Sequence, residues 1–124
     1  MKTVLYFHGF ASSPASAKIT LLRPMLEQLG FQLVTPDLNL PSFERMDWNA
    51  ITAQASEDAR SLRPAVVAGS SMGALVALQV SHSGTSAPLV LIAPALGISD
   101  RWREKTPPGD PIVVFNYARG AEVP

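Results

Sequence analysis

Ala65-Val66-Val67-Ala68-Gly69-Ser70-Ser71-Met72-Gly73-Ala74-Leu75-Val76-Ala77-Leu78 decides the fold of this 124-residue chain. A short β-branched run, Val66-Val67, meets Gly-Ser-Ser-Met-Gly and passes without a spacer into an apolar helix-forming stretch. The reading is strand, tight turn, helix, with G-x-S-x-G in the turn and Ser71 at its centre. Such a turn holds its central residue at a strained backbone position, with neighbours crowded between strand and helix. Gly69 and Gly73 supply the missing side chains. Ser70 is the competing hydroxyl, but the pattern centres on Ser71. The turn would lift that hydroxyl clear of a sheet and leave the first helix amides, beginning with Met72, facing a developing oxyanion.

Working outward, Thr3-Val4-Leu5-Tyr6-Phe7 is continuously apolar rather than alternating, as parallel strands covered on both faces are. His8-Gly9-Phe10-Ala11-Ser12-Ser13-Pro14 is then a loop, and Ser16 caps the helix after it. Ile19, Leu22, Leu26 and Leu29 fall at helical spacing, with Gly30 as the stop. Pro24 conflicts with this, since proline removes a bond and clashes one turn back; it predicts a kink, or a helix starting nearer Pro24. Phe31 to Thr35 is a second strand, stopped by Pro36-Asp37, and Pro41 to Met46 is loop. Asp47 caps a helix with the apolar face Trp48, Ile51, Ala55, Ala59 and Leu62, closed by Arg63-Pro64. After the central stretch, Gly84-Thr85-Ser86 is a turn and Pro88 to Ala93 a fourth strand.

Strands alternating with helices predict an α/β fold: a parallel sheet in a three-layer α/β/α sandwich. The expected order places the second strand outside the first, followed by the third and fourth. His8-Gly9-Phe10 and Ser71 then sit at the C-terminal ends of adjacent strands, where such sheets carry their chemistry.

The totals restrict the rest. One domain, 1–124, fits the length, with a core over 1–97 and a cap-like or irregular segment over 98–124. Net charge is zero, with no run of Lys or Arg to attract nucleic acid or an anionic membrane surface. The chain has no cysteine, which excludes disulfides, thiolate metal sites and a Cys nucleophile. Nothing calls for a metal or cofactor. Ala87 to Ile98 is the most apolar long stretch but is too short to span a membrane and contains Pro88 and Pro94. A cytoplasmic protein is expected. No G-x-x-x-x-G-K-[ST] or G-x-G-x-x-G occurs, which weakens a nucleotide-binding reading. Beyond Pro94, Asp100 to Lys105 is charged, Thr106 to Pro111 irregular, and Ile112 to Tyr117 strand-like.

With His8-Gly9-Phe10 after the first strand and Gly69-Ser70-Ser71-Met72-Gly73 after the third, the chain resembles the α/β-hydrolases. More narrowly, Leu5 to Lys18, Val67 to Gly73 and Ile92-Ala93-Pro94-Ala95 are similar to the small bacterial YqiA-type esterases, in order over roughly residues 3 to 97. The resemblance implies a serine hydrolase cleaving small acyl esters or thioesters. Ser71 would be its nucleophile, and the amides of Met72 and Phe10 its oxyanion donors; His8, Gly9, Gly69 and Gly73 would support the two loops. Two preorganised N–H groups aimed at one point lower a barrier by ~3–4 kcal/mol each.

The family's acid and histidine follow later strands, so the resemblance also implies a domain whose C-terminal part lies outside this sequence. Only two histidines are present. His8 belongs to the oxyanion loop, where its part is structural, and His82 falls near the end of the helix after Ser71. Asp37 and Asp100 read as loop carboxylates. Placing the last strand on the family's acid-bearing strand would put Gly120 at the acid position, with Glu122 nearby; a cap-region strand is the preferred reading. A catalytically inactive binding protein on the same fold is the alternative. The fourth strand is expected to keep a thinly covered edge, a surface for self-association.

Overall fold

The computed structural model describes residues 1–95, 114–116 and 121–123. Strands β1 (Lys2–Phe7), β2 (Phe31–Val34), β3 (Val66–Ser70) and β4 (Leu89–Ile92) form one sheet in the order β2-β1-β3-β4. All its pairings are parallel. Helices α1 (Ala17–Gln28), α2 (Trp48–Leu62) and α3 (Met72–His82) make the crossovers.

The unbroken apolar run of β1 is explained by burial on both faces. Leu5 and Phe7, with Val67 of β3, pack against Ile51, Ala55 and Ala59 of α2 and Val76, Ala77 and Val80 of α3. Val4 and Tyr6 point the other way, and with Leu33 and Ala68 they meet Ile19 of α1. This is the expected three-layer α/β/α arrangement. Burial of side chains such as Leu5 and Phe7 contributes roughly 1.5–3 kcal/mol each.

The helix starts obey local chemistry. Ser16 accepts from the Ile19 amide at 3.4 Å, and Asp47 accepts from the Ala50 amide at 3.1 Å. Ser16 therefore begins α1 well before Pro24, which lies inside the helix. Of the two readings of that proline, a start nearer Pro24 is overturned. The α2 helix ends on Arg63 in the left-handed conformation, φ 47°, with its amide returned to the Ala59 carbonyl.

Some residues assigned to apolar faces are not covered. Leu29, Trp48 and Leu62 are exposed, because each lies at or beside a helix end, past the sheet it was expected to pack on. Leu78 is also exposed although α3 is apolar nearly all round. A 3₁₀ turn, Phe43–Arg45, occupies part of the segment read as loop. Near the C-terminus, Val114–Asn116 (β5) pairs antiparallel with Ala121–Val123 (β6), apart from the main sheet. The strand-like stretch Ile112 to Tyr117 is thus realised over Val114–Asn116. Asp100, the charged segment to Lys105, Thr106 to Pro111 and Gly120 lie outside the described residues. No helix among the described residues is long and apolar enough to cross a membrane.

Candidate active site

Ser71 stands between the end of β3 and the start of α3 with φ 54° and ψ −120°. For a residue with a side chain this is a sparsely populated conformation costing about 1–3 kcal/mol, and it persists only where the surroundings impose it. Those surroundings are visible. The Ser71 amide donates to the Ile92 carbonyl at 3.0 Å, and its carbonyl accepts from Ala74 at 3.1 Å and Ala95 at 3.2 Å. The end of β4 thus clamps the turn from one side.

Gly69 and Gly73 clear the space the turn needs. A Cβ on Gly69 would lie 2.2 Å from the Gly73 carbonyl oxygen, and one on Gly73 would lie 2.0 Å from the Phe7 carbonyl oxygen. Both are closer than real Cβ atoms approach anything, and both obstacles are backbone. The spacing of the motif is therefore a packing requirement of β3 and α3 against the end of β1.

The two adjacent serines have different surroundings. Ser70 is buried, its hydroxyl held by the Tyr6 hydroxyl at 2.7 Å. Ser71 is half-buried and its hydroxyl has no hydrogen-bond partner among the described residues. Met72 is the first residue of α3, and its amide likewise has no partner among the described residues. Gly9 approaches from the neighbouring loop: a Cβ there would lie 3.4 Å from the Ser71 Cβ. The sheet therefore brings the His8-Gly9-Phe10 loop and the Ser71 turn together. The ring of Phe10 packs on Phe43, centroids 5.5 Å apart, tying that loop to the 3₁₀ turn.

His8 is fully committed elsewhere. It is 1% exposed; Nδ1 lies 2.8 Å from the Gly9 carbonyl oxygen, and Nε2 accepts from the Leu38 amide at 2.9 Å. These partners assign the proton to Nδ1, since an amide donor faces Nε2. Asp37 Oδ1 lies 3.6 Å from the same Nε2, but with the Leu38 amide donating there the carboxylate makes no hydrogen bond to the ring. An Asp–His pair is thus present, but neither ring nitrogen is available to take a proton from Ser71. His82 is exposed in the last turn of α3, eleven residues from Ser71 and about 16 Å along the axis at ~1.5 Å per residue.

Around His8 the structure adds residues that sequence reading did not single out. Leu38 and Tyr6 act through the contacts above. The Asn39 amide group donates to Asp37 Oδ1 at 2.7 Å and to the Ser12 carbonyl at 3.1 Å, lacing the loop after β2 to the loop after β1. Its own Oδ1 is buried without a partner among the described residues. Partial burial acts to raise the Asp37 pKa. The Asn39 backbone and side-chain hydrogen bonds outweigh that and hold it below the usual carboxylate range. The Leu38–His8 and Asn39–Ser12 contacts join residues 30 and 27 positions apart, so no local pattern announces them. A cleft of about 440 Å³ lies elsewhere, at the far end of α3, lined by residues such as Arg60, Arg63, Val80 and Thr85. Ser71 is not part of it.

A parallel sheet with helices on both faces and a serine on a strained strand-to-helix turn defines the α/β-hydrolase class of fold. A solved structure agrees: a candidate hydrolase of the α/β superfamily from Xanthomonas campestris pv. campestris. It is similar with 31% identity and a TM-score of 0.62, over 76% of this chain and 59% of that one. This chain thus spans less than two thirds of that protein's length. The chain belongs to the uncharacterised protein family UPF0227, whose model matches residues 3–108. No curated protein matches it.

Proposed function

We propose that this chain carries the nucleophile half of a serine hydrolase acting on small acyl esters or thioesters. The observation that carries the reading is Ser71 itself: a half-buried hydroxyl without a partner among the described residues, on a backbone at φ 54°. Strain of this kind is retained where it serves a site. In the proposed reaction the Ser71 hydroxyl attacks the acyl carbonyl, and the oxyanion that forms is met by the amides of Met72 and Phe10. The alcohol or thiol departs with the proton that Ser71 gave up, and water then adds to the acyl carbonyl, returns a proton to Ser71 and releases the carboxylic acid. The similar structure described as a candidate hydrolase of the α/β superfamily supports the reaction class.

A serine hydroxyl is a weak nucleophile without an adjacent base. With His8 occupied and His82 a helix length away, no histidine of this sequence serves Ser71. Turnover through Ser71 in this sequence is therefore expected to be slow, well short of what an adjacent base would give. The same observation favours the second reading, a binding protein that retains the fold without turnover.

Hydrolysis of p-nitrophenyl acetate separates the two. Slow turnover lost in Ser71→Ala and kept in Ser70→Ala is the result expected of the hydrolase. A folded wild type with no turnover above the Ser71→Ala background supports the binding protein.

A further inference from the structure

The loop that carries Phe10 is held in shape from the loop after β2. Ser12 donates its N–H to the Gly9 carbonyl at 3.2 Å, closing a β-turn over Gly9–Ser12. Ala11, third in that turn, is buried with φ 61°. Glycine favours that conformation, and a residue with a side chain keeps it only where its surroundings impose it. The Gly9 carbonyl accepts a second bond, from His8 Nδ1 at 2.8 Å, so both of its lone pairs are taken.

That carbonyl shares one peptide plane with the Phe10 N–H, and the two point in opposite directions. Whatever fixes the Gly9 carbonyl therefore aims the Phe10 amide. Its two donors are in turn held by two neighbouring residues after β2. The Leu38 amide sets the ring of His8, donating to Nε2 at 2.9 Å. Asn39 holds Ser12: its Nδ2 donates to the Ser12 carbonyl at 3.1 Å and to Asp37 Oδ1 at 2.7 Å. Both of those partners are acceptors, so turning the amide group over would set oxygen against oxygen, and its orientation is forced. The Asn39 backbone N–H also donates to Asp37 Oδ1, at 2.9 Å, which braces the residue from its own side.

We propose that Asn39 is a positioning residue for acyl transfer, a role that rests on Ser71 being the nucleophile. Acting through Ser12, it holds the Gly9–Phe10 peptide so that the Phe10 amide meets the oxyanion. The Met72 amide needs no such support, because it is the first of α3 and its direction is set by the helix and the turn before it. The two donors are thus separable. Loss of Asn39 disturbs the one and leaves the other in place.

That separation is the test. In protein labelled on Ser71 by a fluorophosphonate, the phosphonyl oxygen stands where the oxyanion would. The Phe10 and Met72 amide protons, followed by NMR, are then expected to move downfield. In Asn39→Ala the displacement at Phe10 should shrink while that at Met72 is kept, and labelling should slow about 10-fold to 100-fold. Val80→Ala, a core truncation in the last turns of α3, should lose stability and keep both displacements and the wild-type rate. Asn39→Ala that labels at the wild-type rate with both displacements intact overturns the inference and leaves Ser71 as nucleophile. Equal loss of the two displacements overturns it as well, as does a labelled wild type whose Phe10 proton stays in place. A folded wild type that does not label removes the nucleophile, and the role of Asn39 with it. Should Asn39→Ala fail to fold, Asn39→Ser, whose one hydroxyl donor cannot serve both acceptors, is read by the same signals.

Discussion

Gly73 runs so close to Phe7 that a Cβ on the glycine would lie 2.0 Å from the Phe7 carbonyl oxygen, with the His8 carbonyl oxygen at 2.5 Å. The start of α3 is pressed onto the end of β1, and this contact sets Ser71 beside the His8-Gly9-Phe10 loop. Neither carbonyl can move without breaking the sheet or reshaping that loop. Gly73→Ala is therefore expected to cost about 3 kcal/mol or more, or to prevent folding. Denaturant titration checks this; a loss below ~1 kcal/mol would mean the helix can lift away at little cost.

Ser71 holds the opposite relation to stability. Its φ of 54° is natural for glycine and strained for serine. Ser71→Gly releases ~1–3 kcal/mol of strain and gives back ~0.5–1 kcal/mol of unfolded-chain entropy, so a net gain of about 1 kcal/mol is expected. The same titration measures it, and a destabilised Ser71→Gly would show that the serine side chain is stabilising rather than strained.

Tyr6 and Ser70 form a buried hydroxyl pair at 2.7 Å across β1 and β3. Tyr6→Phe leaves the Ser70 hydroxyl without its partner and should cost ~1–2 kcal/mol, with a similar loss for Ser70→Ala. The double variant removes both needs at once. Its loss is expected to fall short of the sum by about 1 kcal/mol in a double-mutant cycle. Strict additivity would contradict the pairing.

Asp37 is held below the ordinary carboxylate range in the fold. A carboxyl with a lowered native pKa stabilises the folded state at pH values above its unfolded value, about 3.9. That contribution is lost as pH falls through the lower native one. Wild-type stability should therefore drop in this acid window more than that of Asp37→Asn, which has no carboxylate to protonate. Unfolding midpoints across the range, compared between the two proteins, check the sign. Asn39→Ala removes the side-chain bond and leaves the backbone N–H donating; it should move the Asp37 titration upward, visible by carboxyl carbon NMR.

The parallel sheet and its strand order were readable because β1 and β3 are buried on both faces, and a continuous apolar run records that directly. Caps were readable for a similar reason: Ser16 and Asp47 bond amides three residues ahead, within the span a local pattern covers. Exposure of Leu29, Trp48 and Leu62 was not, since periodicity reports which way a side chain points and not how far the sheet beneath it extends. At the site, the glycine spacing around Ser71 carried its packing requirement in the residues themselves. The hydrogen bonds from Leu38 to His8 and from Asn39 to Ser12 join separate loops, and only the assembled sheet creates them.

Labelling with a fluorophosphonate probe, located by peptide mass spectrometry, tests most directly whether the strained serine is the reacting group. Slow, single-site modification of Ser71 is expected, absent in Ser71→Ala and retained in Ser70→Ala. A folded wild-type chain that stays unmodified, or is modified at Ser70 or another hydroxyl, would contradict the assignment.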